Sequence, residues 1–583
     1  MEKEIFVDKR TIIGLVIVGL IIIFYQPYMK WLTGGNQIPK SPPITQGQVD
    51  TTTQLAPPAQ EIKETPPVPA AGKTSGLAQA DTLLPEKTVK VETELYTAEF
   101  STKGAVLKSF TLKKYTDQQK ENIQLIPAGA SALPLNLEFP DSNINLESFN
   151  FQTDKDQLVL DKPSSSGTIN FLLNTQSGIQ IIKRYDFING RYDFNLEFEI
   201  LGPVQAATSS TRLDLGREYR LSWGSGLNST EKNRSEDLNY FAAYAMMGTE
   251  LTEIKKFNQP KGVAVGTMQE AASGETRWVA TRSKYFMAAM VPLTRKATGF
   301  SVSGKRYSIS SGGTPSEYRS IGVNLEVPLE GAASLKDKYM IYVGPINYRV
   351  LKSYQVDLDR MVNMGWKIIR PFSIGILWLF ENLHKILPNY GLVIIIFTIL
   401  IKGVFHPLTK KSTKANLKMQ ELQPKLAQLK EKHKKDPTRL NQETMKLYKQ
   451  SGVNPLGGCL PLLFQMPIFY ALFVVFRTTI ELRGAKFAFW LFDLSQKDPY
   501  YVLPIIMAAT MFWQQKITIK DPKQAMLVYF MPIMFFFFFY NFPAGLTLYW
   551  TMFNVLSLIE TYYFKHKGLT PSALSVQLAK ENG

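Results

Sequence analysis

The stretch VIIIFTILIKGVFHPLTKK, Val393–Lys411, decides how the whole chain is read. Eleven of its first thirteen residues are apolar or glycine, and the exceptions are Thr398 and Lys402. Such a run reads as a membrane helix. A charge inside a bilayer costs about 2.5–3.5 kcal/mol on insertion scales unless water or a partner reaches it. Two readings account for Lys402. It lies five residues before Pro407, about 8 Å along a helix axis, so its stem could carry the ammonium to the headgroups. Alternatively, it faces a wet cavity among the helices. On this stretch alone the two readings stand level.

Working outward, five span candidates occur at about 390–408, 456–476, 500–514, 526–542 and 545–564. The uncharged run Thr11–Tyr28 adds a sixth, close to the length a span needs. It ends in Tyr25-Gln26-Pro27-Tyr28 rather than a small-x-small cleavage site, so an uncleaved anchor is expected. Residues 409–450 carry 12 Lys/Arg against 4 acids, whereas 478–499 carry only Arg483, Lys486 and Lys497 as cations. The positive-inside rule places the first connector in the cytoplasm, which puts the region before 390 outside and both termini inside.

That outside region changes character along its length. Residues 34–88 are rich in Pro, Thr, Gln and Ala and read as a disordered tether. From 89 to 350, short alternating runs recur between turn signals: VETELYTAEFS, INFLLNTQ, IQIIKRYDF and GRYDFNLEFEI. Ile188-Asn189-Gly190-Arg191 predicts a type I′ hairpin. In the following run Tyr192, Phe194, Leu196 and Phe198 alternate with polar residues, giving one buried and one wet face. The pattern predicts a large β-sandwich. Residues 351–388 turn helical from about 354, apolar but punctuated by Lys367, Arg370 and Glu381. They predict an amphipathic helix lying on the membrane interface. In the cytoplasmic connector 409–451, Met419, Leu422, Leu426 and Leu429 recur at helical spacing. Asp436-Pro437 forms an N-cap and N1 pair for a second helix bearing Leu440, Leu447 and Tyr448. A basic helical hairpin is expected, suited to anionic lipid or ribosomal RNA.

Composition narrows the function. The net charge of +17 asks for an anionic partner. The single cysteine, Cys459, cannot form an intrachain disulfide, so an outer domain must stand on its core alone. The four histidines, His384, His406, His433 and His566, are scattered, and 85–345 contains none, so a histidine acid/base pair is excluded there. No Walker-A string occurs. No cofactor, metal or catalytic residue is expected.

Three blocks carry a family resemblance: NPLGGCLPLLFQMPIFYALF (Asn454–Phe473), LFDLSQKDPYYVLPIIMAATMFWQQK and FMPIMFFFFFYNFPAGLTLYW. With YVGPINY (Tyr342–Tyr348), they resemble the YidC membrane-protein insertase family, the bacterial relatives of the mitochondrial Oxa and chloroplast Albino proteins. The resemblance implies a multi-domain, α-helical six-span membrane protein of the Gram-negative inner membrane. It would comprise an anchor (1–33), the tether (34–88) and a periplasmic all-β supersandwich of the sugar-mutarotase type (89–350). The amphipathic helix (351–388), a five-span core (389–565) and a cytoplasmic tail (566–583) would complete it. It implies an insertase and chaperone working without ATP, alone or with the Sec translocon. Nascent membrane-protein clients, the ribosome and anionic lipids are the implied partners.

The same resemblance implies a hydrophilic groove open to cytoplasm and lipid, with one positive residue in it, usually arginine. Lys402 holds that position here. Lysine keeps the charge but loses the planar fork, which puts bidentate carboxylate binding in doubt. Thr398, Gln465, Gln514, Thr551 and Asn554, with Thr547 and Ser557, are the other candidate groove residues. Taken singly, each reads better as an interhelical hydrogen bond; together, across several spans, they suggest a wet cavity. Met466, Phe469, Phe530, Tyr549 and Trp550 are candidates for a hydrophobic slide, with lipid-facing or core packing as the plainer reading. The spans at 500–514 and 526–542 are short enough to thin the bilayer locally, and Pro461 and Pro467 can kink the span at 456–476. A polytopic small-solute transporter is the alternative; it predicts an internal repeat, and none is seen between halves of the core.

Overall fold

The computed structural model describes residues 85–117, 119–138, 143–175, 178–202, 217–260, 263–311, 314–329, 334–434, 436–452, 460–518 and 525–566. The anchor, nearly all of the tether, Cys459 and the tail beyond 566 lie outside the described residues. The chain divides into two units, meeting at Pro345 and Ile346.

The first unit is all-β, with two sheets of five and fourteen strands among the described residues. The smaller sheet pairs Thr88–Glu92, Tyr96–Ser101 and Val106–Thr116 antiparallel. It adds Gln157–Val159 in parallel beside the first strand. In the larger sheet, Ser166–Asn174, Gln180–Ile188, Asp193–Leu201 and Ser334–Pro345 run as antiparallel neighbours. The alternation predicted for the third of these strands holds: Tyr192, Phe194, Leu196 and Phe198 are all buried. The sheets close on aromatic rings. Phe100 of the smaller sheet lies 4.6 Å from Tyr185, 5.8 Å from Phe187 and 6.2 Å from Phe194 of the larger. Burying such rings supplies most of a sandwich's core energy.

The hairpin at Asn189-Gly190 forms, but the type I′ turn does not. A type I′ turn needs positive φ at both residues; Gly190 takes +82°, while Asn189 is not among the positive-φ residues. The reason lies in tertiary contacts. The Asn189 carboxamide is buried, accepts from the Glu94 backbone N–H at 2.8 Å and donates to the Lys162 carbonyl at 2.9 Å. Those bonds hold its backbone out of the left-handed region.

The second unit is helical. The continuous helix expected from about 354 is broken into pieces. Tyr348–Ser353 is a short helix, Leu358–Met361 a 3₁₀ turn, and Gly365 takes φ +81°. Helix α1, Arg370–Ile386, starts only where Pro371 can occupy the first turn. Its buried residues Ser373, Ile376, Leu377 and Phe380 fall at i, i+3, i+4 and i+7, one helical face. Trp378 stands 60% exposed away from that face.

Helix α2, Tyr390–Glu421, runs 32 residues straight through Pro407. At about 1.5 Å per residue it is roughly 48 Å long, well beyond a hydrocarbon core of about 30 Å. It therefore continues into the basic hairpin of α3, Gln423–Lys432, and α4, Pro437–Gln450. Leu422 and Leu426 form the hairpin's small core, packed by Met419, Leu447 and Tyr448. The predicted Asp436 cap is present, accepting from the Thr438 and Arg439 N–H groups at 3.1 and 3.0 Å.

Four helices complete the unit: α5, Leu460–Thr478; α6, Val502–Thr518; α7, Ala525–Phe539; and α8, Ala544–His566. Gly391 at the start of α2 leaves no room for a side chain, because the Phe487 ring lies on its backbone. Among the described residues one helical stretch, Tyr390–Thr413, is long and apolar enough to cross a membrane; Phe464–Thr478 and Val528–Phe539 are apolar but shorter. The surface of this unit exposes Trp513, Tyr529, Ile533, Phe537 and Ile559. So much exposed apolar surface marks a membrane or interaction face.

Candidate functional site

The site is built on α2 and α8. Phe397 meets Tyr549 at a ring separation of 6.0 Å, Lys402 Nζ lies 4.7 Å over the Phe553 ring, and His406 stacks 6.1 Å from Phe564. These pairs climb both helices in the same direction, so α2 and α8 lie side by side and parallel. Residues 398, 402 and 406 recur every four positions and share the face of α2 turned to α8.

On that face lies the feature sequence reasoning passes over. Lys402 Nζ donates to Glu560 Oε2 at 2.8 Å, and His406 Nδ1 lies 3.1 Å from Glu560 Oε1. The lysine and glutamate side chains are 12% and 14% exposed. Lys402 thus turns into the bundle and finds a counter-charge, and α2 itself continues well past it. Opposite charges that neutralise one another make two intramembrane charges tolerable, whereas removing one partner of a buried pair costs about 3–5 kcal/mol. The signal was legible: Glu560 lies inside the expected span 545–564, and an acid in one span is the natural partner of a lysine in another.

The other candidate groove residues are mostly engaged in the helices. Thr398 is fully buried and donates to the Ile394 carbonyl at 2.6 Å. Thr551 is buried and donates to the Thr547 carbonyl at 2.7 Å. Gln465 is buried and donates to the Tyr549 hydroxyl. Gln514 is half-buried on α6. Thr547 is buried and donates to the Pro543 carbonyl, and Ser557 does the same to Phe553. Asn554 differs: it is buried, and its Nδ2 has no hydrogen-bond partner among the described residues. A buried amide donor without a partner costs about 1–3 kcal/mol.

The slide candidates divide by exposure. Met466 and Phe530 are exposed, at 51% and 42%. Phe469 and Trp550 are partly buried and pack edge to face at 5.1 Å. Tyr549 has no exposed surface and is a core residue in this conformation. Outside the spans, Glu481 is half-buried after α5, accepts from Asn347 Nδ2 at 2.7 Å, and is pushed up to about 7 by desolvation, helped by the Glu381 charge. Glu381, also raised by burial, is paired with Arg349.

Comparison with known proteins identifies the family. The family model for the YidC periplasmic domain matches residues 88–375, and that for the 60Kd inner membrane protein matches 382–570. The membrane protein insertase YidC of Prosthecochloris aestuarii is 35% identical, covering 97% of this chain and 95% of that protein. That of Syntrophus aciditrophicus is 34% identical, covering 95% and 99%. A crystal structure of an active YidC insertase with its first transmembrane domain resolved is 18% identical, covering 83% of this chain and 94% of that one at a TM-score of 0.36. The two sequence relatives are named as insertases, and their similarity runs over nearly the whole of this chain. The chain belongs to the YidC family of inner-membrane protein insertases, with a β-rich periplasmic domain joined to a helical insertase core.

Proposed function

We propose that client proteins enter the membrane along the α2–α8 seam, drawn by the Lys402 charge, and leave sideways into lipid. The observation that carries this reading is the placement of Lys402: an ammonium 12% exposed, turned into the helix bundle and paired there with Glu560. A snorkelling anchor would point outward. The unpartnered Asn554 amide, on the same helix as Glu560, offers a donor to a client backbone or polar tail as it passes. Met466 and Phe530, with the edges of Phe469 and Trp550, form the apolar track for the client's hydrophobic segment, backed by Tyr549. Burial of that segment in lipid supplies the drive, so no nucleotide is needed.

In this reading the core spans the membrane five times, with the anchor as a sixth span and both chain ends in the cytoplasm. Helices α6 and α7, 17 and 15 residues long, reach about 25 and 22 Å, short of the bilayer core. They thin it where the client crosses. Helix α1 lies in the outer interface, where Lys367, Arg370 and Trp378 line one cleft suited to anionic headgroups. The basic α3–α4 hairpin recruits the ribosome or the emerging client, and the Sec translocon is a working partner.

The test uses purified protein in liposomes and a single-span client whose translocated tail carries two Asp or, in a matched version, two Asn. Lys402→Ala should depress insertion of the acidic version several-fold more than the neutral one, as a coupling of about 1–2 kcal/mol implies. Equal insertion of both versions, with the variant folded, would return Lys402 to a structural role.

A further inference from the structure

Glu560 is more than a counter-charge that makes Lys402 tolerable, because of how it is held. Its two carboxylate oxygens are engaged separately: Oε2 by Lys402 Nζ at 2.8 Å and Oε1 by His406 Nδ1 at 3.1 Å. An arginine fork grips a carboxylate in this two-point manner. Here a lysine and a histidine one helical turn apart do so together. The bidentate grip that lysine alone cannot provide is restored by its neighbour on α2.

We propose that Lys402 and His406 form a two-pronged carboxylate site, that Glu560 occupies it in the resting protein, and that an acidic client residue loads by taking Glu560's place. This rests on the reading of Lys402 as the charge that draws clients. Exchange of one carboxylate for another leaves the charge at the site unchanged, so no bare ammonium or extra anion is exposed to the apolar bundle. The displaced side chain has somewhere to go. His406, which holds Oε1, is itself 52% exposed, so a carboxylate that swings off the site on that side leaves the packed interior. The pair also makes binding weak by construction, since a client gains only the difference between its own carboxylate and the resident one. A transit site must release what it binds. Glu560 is thereby a specificity-determining residue: it sets how acidic a tail must be to load.

The experiment extends the liposome assay and reads the ratio of acidic-tail to neutral-tail insertion. Glu560→Gln removes the resident competitor, so the ratio should rise about three- to tenfold above that of the unaltered protein. Glu560→Asp shortens the reach to both prongs by one methylene and should raise it less. Adding Lys402→Ala to Glu560→Gln should bring the ratio to one. An unchanged or lower ratio in both Glu560 variants, while Lys402→Ala alone still penalises the acidic client, would overturn the exchange proposal and leave Lys402's role standing. A ratio of one in Lys402→Ala alone, with the unaltered protein also showing no preference, would overturn the underlying reading as well. If Glu560→Gln does not fold, Glu560→Asp decides by the same ratio.

Discussion

The β unit and the helical unit treat a buried lysine in opposite ways, and the contrast exposes the solvent each was built for. In the β unit, Lys183 has no exposed surface; its Nζ donates to the carbonyls of Gly104, Ala105 and Leu133 at 2.8, 3.2 and 3.1 Å. Burial pushes it down to about 7. Backbone dipoles suffice there because the lowered pKa brings the neutral amine within range, so the site need not hold a full charge at every pH. In the helical unit, Lys402 is met by a full counter-charge, Glu560. With lipid outside, dipoles alone are a poor substitute for hydration. Aromatic side chains follow the same division. Trp223, Trp278, Tyr96 and Phe100 fill the β core, whereas Trp513, Tyr529 and Phe537 stand on the helical surface while Thr398, Gln465 and Thr551 are inside. The β unit is apolar within and polar without; the helical unit is apolar within too, around Phe397, Leu472, Phe476 and Tyr549, and differs in carrying large apolar side chains on its surface as well, as burial against lipid rather than water demands.

Removing one tryptophan from each unit should break the comparison most visibly. Trp278 is fully buried in the β unit, and Trp278→Ala should destabilise that unit by about 3–5 kcal/mol through lost burial and a residual cavity. Trp513, 59% exposed on α6, should cost under about 0.5 kcal/mol as Trp513→Ala in detergent micelles. Chemical denaturation of the two variants, each followed by a probe in its own unit, measures both. Comparable losses would mean the helical surface is not lipid-facing.

The next effect is electrostatic and sharpens the lysine contrast. Lys183 gives up its proton near 7 when folded but only near 10.5 when unfolded. Between these values the unfolded chain binds more protons, so stability of the β unit should rise with pH, by at most about 1.4 kcal/mol per pH unit. Lys183→Met should flatten that rise. Denaturation midpoints taken from pH 7 to 10 decide it; an unaltered slope would show that the three carbonyls keep the ammonium charged.

A smaller and opposite dependence is expected in the helical unit. Glu481 is raised from 4.5 to about 7, so between those values the folded state binds more protons. Stability is then fully present below about 4.5 and is lost as pH rises through 7. Glu481→Gln should remove this loss, read as the thermal midpoint in detergent from pH 4.5 to 8. A midpoint that rises with pH in the unaltered protein would reverse the assignment.

Much of this was determined by the sequence alone. Alternation of Tyr192, Phe194, Leu196 and Phe198 specified a half-buried strand, because a period of two has only one solution on a pleated surface. Asp436-Pro437 specified a helix start, since capping is a local matter of hydrogen bonds and fixed φ. The motif blocks carried the family. What failed depended on neighbours far along the chain. Asn189 left the left-handed region because Glu94 and Lys162 claimed its carboxamide. The helix expected from about 354 began at Arg370 because Gly365 and Pro371 interrupt the chain. The opening stretch shows the same limit. Val393–Lys411 told that a charge must be compensated inside a membrane helix, but not by what. The partner is 158 residues away, on a helix that only packing brings alongside. Local sequence sets what each segment needs from its surroundings; the tertiary structure decides which distant group supplies it, because a side chain's counter-charge is a matter of distance in space.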